Sequence, residues 1–214
     1  MTQTLWQNQL GEGLARMQIS LNASQQQQLL AFLALLNKWN RAYNLTAVRN
    51  EEEMVSRQLL DSLSILPWVT AGHLLDVGAG GGLPGIPLAI ALPDTRFTLL
   101  DSNGKKTRFL NQCVLELGLE NVDVIHGRAE ECKPEHAYSQ ISSRAFTALD
   151  NLVGWCAELL ADDGEFLAMK GQYPHDEVAA LPDGWQVSSS HSLNVPGAAG
   201  ERHLLIVARA RHSR

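Results

Sequence analysis

The residues best placed to do chemistry lie in the run Leu74-Leu75-Asp76-Val77-Gly78-Ala79-Gly80-Gly81-Gly82-Leu83-Pro84-Gly85, where an apolar stretch gives way to glycines. A strand that ends in glycines before a helix offers bare backbone for close approach. The helix start adds unpaired N–H groups and the positive end of a dipole. Such a turn suits a nucleoside-containing ligand, with Gly78 and Gly80 nearest to it. Asp101 closes the next apolar run, 23 positions after Gly78, near the spacing at which a carboxylate accepts hydrogen bonds from ribose hydroxyls. Capping of the following helix is the other use for an acid there, but Ser102 and Asn103 are better placed for it.

A glycine turn plus an acid fits a dinucleotide as well as S-adenosylmethionine. Dinucleotide sites of the usual Gly-x-Gly-x-x-Gly pattern bring a third glycine to the pyrophosphate, and here Leu83 holds that position, which disfavours pyrophosphate. A third apolar run ends in His126-Gly127-Arg128-Ala129-Glu130, a polar turn suited to an adenine edge. Nothing in the chain forms a convincing Ser/His/Asp, Cys/His or paired-carboxylate constellation. Cys113, Cys132 and Cys156 are widely spaced without a Cys-x-x-Cys pair, so they read as buried thiols rather than a disulfide framework or zinc site. The seven histidines have no metal-ligand spacing, and no metal is expected.

These residues need a scaffold, and 214 residues that are 45% hydrophobic suffice for one compact core. The net charge of -6 argues against coating nucleic acid through the overall field, though not against a local basic face. No apolar run approaches the roughly 20 residues of a bilayer span. Residues 1–13 lack the features of a secretory signal, so the cytoplasm is the expected location.

The chain divides by pattern. Residues 1–70 read as a helical N-terminal extension. Its first helix spans 25–43, with Asn22 or Ser24 as N-cap, the glutamine run 25–28 as an exposed first turn, and Trp39 and Tyr43 on its apolar stripe. A second helix is expected over 51–66, opened by three acids and stopped before Pro67. Residues 71–214 read as one α/β unit, because short apolar runs alternate with helical stretches as in βαβ units. Strands are expected at 74–77, 96–100, 122–126, 140–143 and 165–170, with weaker ones at 185–191 and 203–208. Helices are expected at 85–92, 105–117, 151–160 with Asp150 as N-cap, and 174–180.

Motifs along nearly the whole length resemble one family. They include Lys38-Trp39-Asn40-Arg41-Ala42-Tyr43-Asn44-Leu45-Thr46, Leu60-Asp61-Ser62, the glycine segment continuing through Leu83-Pro84-Gly85-Ile86-Pro87-Leu88, and Leu100-Asp101-Ser102. Lys105-Lys106, Arg108-Phe109-Leu110, Arg128-Ala129-Glu130, Ser143-Arg144-Ala145-Phe146, Lys170-Gly171 and Gly200-Glu201-Arg202-His203 complete the set. Jointly they resemble the bacterial ribosomal RNA small subunit methyltransferase G family, formerly called glucose-inhibited division protein B. The resemblance implies a Rossmann-like class I S-adenosylmethionine-dependent methyltransferase fold with a seven-stranded, mostly parallel sheet. It also implies S-adenosylmethionine as donor and N7 of one guanine in the 530 loop of 16S rRNA as acceptor. Gly78 and Leu83 would contact the cofactor, Asp101 the ribose, Ala129 and Glu130 the adenine, and Arg144 would complete that pocket. One position departs from the family: Gln58 follows Arg57 where a histidine is usual.

The fourth strand ends in Ser142-Ser143-Arg144, unlike the Asn/Asp-Pro-Pro-aromatic run of methyltransferases that act on exocyclic amino groups, which favours a ring nitrogen. Guanine N7 has a free lone pair, so no general base is required. Arg144, Lys170 and Arg202 are therefore expected on the acceptor side, positioning phosphates or a base edge. Lys38, Arg41, Arg49, Arg57, Arg209, Arg211 and Arg214 offer a basic rim for 16S rRNA or the 30S subunit, and a monomer suffices. Two other readings share the cofactor features. A nicotinamide-dependent oxidoreductase would need the third glycine and a catalytic Tyr/Lys or His, and an adenosine-sensing RNA-binding module would keep the pocket without transfer.

Overall fold

The apolar runs beyond the helical segment form a single sheet of seven strands. These are β1 (His73–Val77), β2 (Arg96–Asp101), β3 (Val122–His126), β4 (Tyr138–Arg144), β5 (Leu160–Lys170), β6 (Trp185–Ser192) and β7 (His203–Arg209). The computed structural model describes residues 2–70 and 72–210. Strand order is β3-β2-β1-β4-β5-β7-β6. The first five strands pair in parallel, and β7 and β6 close the edge antiparallel.

Eight α-helical segments are described: α1 (Thr2–Arg16), α2 (Ala23–Tyr43), α3 (Glu51–Met54), α4 (Asp61–Leu63), α5 (Gly85–Ala91), α6 (Gly104–Leu117), α7 (Leu149–Cys156) and α8 (His175–Ala179). Consecutive strand residues face opposite sides of a sheet, so Leu74 and Leu75 enter different cores. Helices α1, α2, α5 and α6 cover one face and α7 the other. Among the described residues no helix is long and apolar enough to cross a membrane.

Several local features differ from the sequence reading. Helix α1 was not expected, because its stripe of Trp6, Leu10 and Leu14 is narrow and set among Gln, Asn and Gly. It is fixed by tertiary contacts instead: the Trp6 indole N–H donates to the Glu51 carbonyl at 2.8 Å. The segment expected as one helix over 51–66 is helical throughout 51–63 but changes register, α3 passing through a π-helical turn, Val55–Leu60, into α4, and a 3-10 turn, Leu66–Trp68, follows. The capping residue of α7 is Ala148 rather than Asp150. The first free N–H, that of Leu149, donates to the Glu177 carboxylate of α8 at 3.0 Å, so no side chain from the same helix is needed. Asn22, not Ser24, caps α2 through a reciprocal pair of bonds with Gln25.

The glutamines of α2 do more than face water. Gln25 donates to the carbonyls of Ile90 and Ala91 at the end of α5, and Gln28 to that of Leu117 at the end of α6. Helix ends leave carbonyls without partners, and here the first two turns of α2 satisfy three of them. Phe32 of α2 is fully buried with its ring 6.5 Å from that of Phe109 in α6. The N-terminal helices and the sheet thus share one hydrophobic core, which also holds the glycine turn in place.

If that core is continuous, Phe32→Ala should destabilise the whole chain by about 3–5 kcal/mol. Denaturant unfolding followed by circular dichroism should show a single transition at lower denaturant. Two separated transitions would mean that the N-terminal helices form an independent unit.

Candidate active site

Strand order reverses at β1, with β2 and β3 on one side and β4 onward on the other. Chain segments leaving the carboxyl ends of β1 and β4 therefore diverge, which opens the crevice where ligands bind in open α/β sheets. Gly78, the first residue past β1, has a φ of +63°, and the Phe146 ring packs so closely that a Cβ would strike it. Both facts require glycine. The Gly80 N–H donates to Asp101 Oδ2 at 2.9 Å, and the Asn103 N–H donates to Oδ1 at 2.8 Å. Asp101 thus ties the glycine turn to the start of α6, while Asn103 caps that helix by accepting from the N–H groups of Lys105 and Lys106. A cavity of about 490 Å³ opens here, its walls including Gly78, Asp101, Lys106, Ala129, Glu130, Phe146 and Trp155.

Behind the turn, Asp76 is completely buried. Its Oδ2 accepts from the Gly85 N–H at 3.0 Å and its Oδ1 from the Ser142 hydroxyl at 2.9 Å. Burial pushes this carboxyl up to about 7, against the pull of those two hydrogen bonds. Gly85 has no room for a side chain, since a Cβ would meet Leu99 and the Asp76 carboxyl itself.

A second cavity of about 300 Å³ adjoins the first, and Ala145 lines both. Ala145 has a φ of +49°, a left-handed conformation that a β-carbon makes costly. The resulting turn puts Arg144 in the wall of the second cavity and Phe146 in that of the first. Arg57, Asp61, Lys170 and Arg202 also line the second cavity. Asp61 pairs with Arg144 at 3.3 Å and with Arg202 at 2.7 Å, and Lys170 pairs with Glu177 at 2.7 Å. Burial pushes the Arg144 guanidinium down from its ordinary value, and the Asp61 carboxylate works the other way. Arg144 Nη1 is enclosed without a hydrogen-bond partner.

Of the residues expected at a cofactor, Gly78, Asp101, Ala129 and Glu130 line the first cavity. Gly80 is bonded to Asp101 through its N–H, Leu83 packs into the core, and neither is in that wall. Arg144 lies in the second cavity, where it meets Lys170 and Arg202, so the three residues expected on the acceptor side share one cleft. Sequence reasoning gave no role to Asp61, Asp76, Phe146 or Trp155. The signal for Asp61 was an acid inside the apolar stretch Leu59-Leu60-Asp61-Ser62-Leu63, where an exposed residue is not expected. Arg209 leaves the basic rim, because it turns inward to donate to the carbonyls of Ala157 and Ala161 and stacks on Trp185. Arg211 and Arg214 lie outside the described residues. Trp39 packs against Tyr43 and Phe109. Among the described residues no cluster of His, Cys, Asp and Glu is arranged to hold a metal ion.

Known proteins resemble the chain closely. A family model described as rRNA small subunit methyltransferase G matches residues 25–205. Ribosomal RNA small subunit methyltransferase G of Marinobacter nauticus is 80% identical over 209 residues, covering 98% of each chain. The protein of the same name from Pseudomonas aeruginosa is 55% identical over 203 residues, covering 94% of this chain and 95% of its own. Among solved structures, a putative O-methyltransferase from Klebsiella pneumoniae superposes with a TM-score of 0.58 at 16% identity, over 84% of this chain and 90% of that one. The O-methyltransferase TomG from Streptomyces achromogenes, in complex with SAM, does so at 0.55 and 16%, with the same coverage. At that identity the two structures share the fold of class I methyltransferases with this chain and nothing finer.

The raised value of Asp76 makes a pH prediction. A carboxyl held above its ordinary 3.8 contributes stability that is fully present below that value and is lost as pH rises through about 7. Asp76→Asn keeps an acceptor for the Gly85 N–H, reverses the bond to Ser142 by donating an amide N–H to its hydroxyl oxygen, and cannot ionise. Denaturant unfolding between about pH 5 and about pH 8 should show the wild type losing stability relative to this variant as pH rises. Parallel pH curves would contradict the assignment.

Proposed function

The chain belongs to the rRNA small subunit methyltransferase G family, and we therefore propose that it transfers the methyl group of S-adenosylmethionine to N7 of one guanine in the 530 loop of 16S rRNA. The observation that carries this reading is the pair of adjoining cavities at the strand ends, one beside Asp101, Ala129 and Glu130, the other beside three arginines and a lysine, with Ala145 common to both. A cavity of about 490 Å³ suits a nucleoside joined to an amino acid. Each Asp101 oxygen accepts one backbone N–H and has a second lone pair to offer a ribose hydroxyl. Ala129 and Glu130 would border the adenine, Gly78 the methionyl part, while Gly80 and Leu83 shape the turn from behind. Arg144 lines the second cavity, and its enclosed Nη1 has no hydrogen-bond partner, which leaves one donor of this guanidinium uncommitted.

When bound, S-adenosylmethionine supplies an electrophilic methyl on a positively charged sulfur. Guanine N7 attacks with a lone pair that is already free, so no residue has to take a proton. The task of the chain is alignment of the two reactants and exclusion of water. Phe146 and Trp155, whose rings meet edge to face at 5.8 Å, give the first cavity an apolar wall. Arg144, Lys170 and Arg202 hold the acceptor by its phosphates and base edge, on 16S rRNA or the 30S subunit in the cytoplasm. A single copy of the chain supplies every group required.

The test incubates the purified chain and methyl-labelled S-adenosylmethionine with 30S subunits from cells lacking this protein, followed by digestion and identification of the labelled nucleoside. N7-methylguanosine at one position is expected. Label in another base, or none while the cofactor binds, would overturn the reading.

A further inference from the structure

The acceptor-side cleft is organised by one carboxylate. Asp61 is 6% exposed; its Oδ1 accepts from Arg202 Nε at 2.7 Å and its Oδ2 pairs with Arg144 Nε at 3.3 Å. The two arginines come from different places, the end of β4 and the residue before β7, and β5 separates those strands in the sheet. Two like charges would not settle into one cleft unaided. With Asp61 between them, each directs one further nitrogen to backbone or amide oxygens. Arg144 Nη2 donates to the Arg57 carbonyl at 3.0 Å and, more weakly, to Gln58 Oε1 at 3.4 Å, and Arg202 Nη1 donates to the Ala199 carbonyl at 2.7 Å. Arg57 and Gln58 belong to the π-helical turn, which leads directly into Asp61. That turn therefore delivers both the carboxylate and the carbonyl that orient Arg144. Such turns recur at functional sites, and this one has a geometric reason to be there.

We propose that Asp61 is a positioning residue for methyl transfer, fixing the Arg144 and Arg202 guanidinium groups so that the acceptor RNA meets a preset pair of cations. The proposal deepens the reading above and rests on it, because the ligand it serves is the acceptor. A preset pair acts twice. It spares the acceptor the entropy of ordering two long side chains on binding. Transfer also moves positive charge from sulfur to the guanine ring, and the Asp61 carboxylate offsets two arginines that would otherwise oppose its arrival.

The test measures KM for 30S subunits, kcat, and S-adenosylmethionine affinity by calorimetry for the wild type, Asp61→Asn, Asp61→Glu, Arg202→Gln and the double variant Asp61→Asn/Arg202→Gln. Asp61→Asn should raise KM for 30S on the order of tenfold and lower kcat, with cofactor affinity held within about twofold. Asp61→Glu should recover most of the loss. The double variant should be no worse than the worse single one, because both remove the same link. Unchanged KM for 30S, cofactor affinity lost in equal measure, or additive effects would each overturn the proposal. If Asp61→Asn does not fold, Asp61→Ser takes its place, since it removes the carboxylate and leaves both arginines: a raised KM that Asp61→Glu recovers supports the clamp, and an unchanged KM refutes it. Should the wild type label some other nucleoside, the functional reading fails, while the clamp is judged by the relative 30S affinities of the variants.

Discussion

The buried carboxyl of Asp76 joins the two halves of the crevice. One oxygen holds the Gly85 N–H at the start of α5, and the other holds the Ser142 hydroxyl in β4. Because β1 is the strand at which the order of the sheet reverses and β4 pairs directly with it, that side chain ties the start of α5 to the end of β4 across their shared ladder. Enclosing an acid is costly, and burial outweighs both hydrogen bonds and the attraction of Arg144, so the proton is held up to about 7. The walls of both cavities depend on this link. Gly78 lies under Phe146, Asp101 clasps Gly80, and the left-handed turn at Ala145 divides its two neighbours, Arg144 and Phe146, between two cavities.

The charge distribution fits a local grip on nucleic acid. A net charge of -6 gives no general attraction for a polyanion, yet Arg57, Arg144, Lys170 and Arg202 gather around one cleft. Several of them are engaged: Arg57 with Glu53, Lys170 with Glu177, Arg144 and Arg202 with Asp61. On the proposed reading, cations held in this way recognise the acceptor by position more than by number. Few phosphates would be neutralised by such a surface.

Most of the sheet was legible as short apolar runs, but β6 is largely polar and reads only weakly, and β5 begins at Leu160, ahead of the expected 165, its first half hidden from an apolar pattern by Asp162, Asp163 and Gly164. The glycine turn was legible because its composition has few other uses. Asp101 stood at a readable spacing, though its grip on Gly80 and Asn103 requires coordinates. Other features are set by tertiary contacts and leave little trace in local pattern. The π-helical turn interrupts a stretch whose periodicity suits one continuous helix, and α1 depends on Glu51 and Leu60 more than on its own propensity. The inward turn of Arg209 and the work of Gln25 and Gln28 on distant helix ends follow the same rule: a polar side chain goes where carbonyls lack partners. Arg144 was associated with the cofactor by resemblance, and the turn at Ala145 puts it in the wall of the neighbouring cavity.

On the proposed reading, cofactor and acceptor occupy two adjoining cavities that meet at Ala145. The sharpest test is amide hydrogen exchange on the full chain, first with S-adenosylhomocysteine and then with added 30S subunits. The nucleoside should slow exchange in the segments around Gly78, Asp101 and Ala129. The subunit should then slow it around Asp61, Arg144, Gly171 and Arg202. Protection by the subunit at the opposite end of the sheet, or protection by the nucleoside confined to the second cavity, would contradict the two-cavity arrangement.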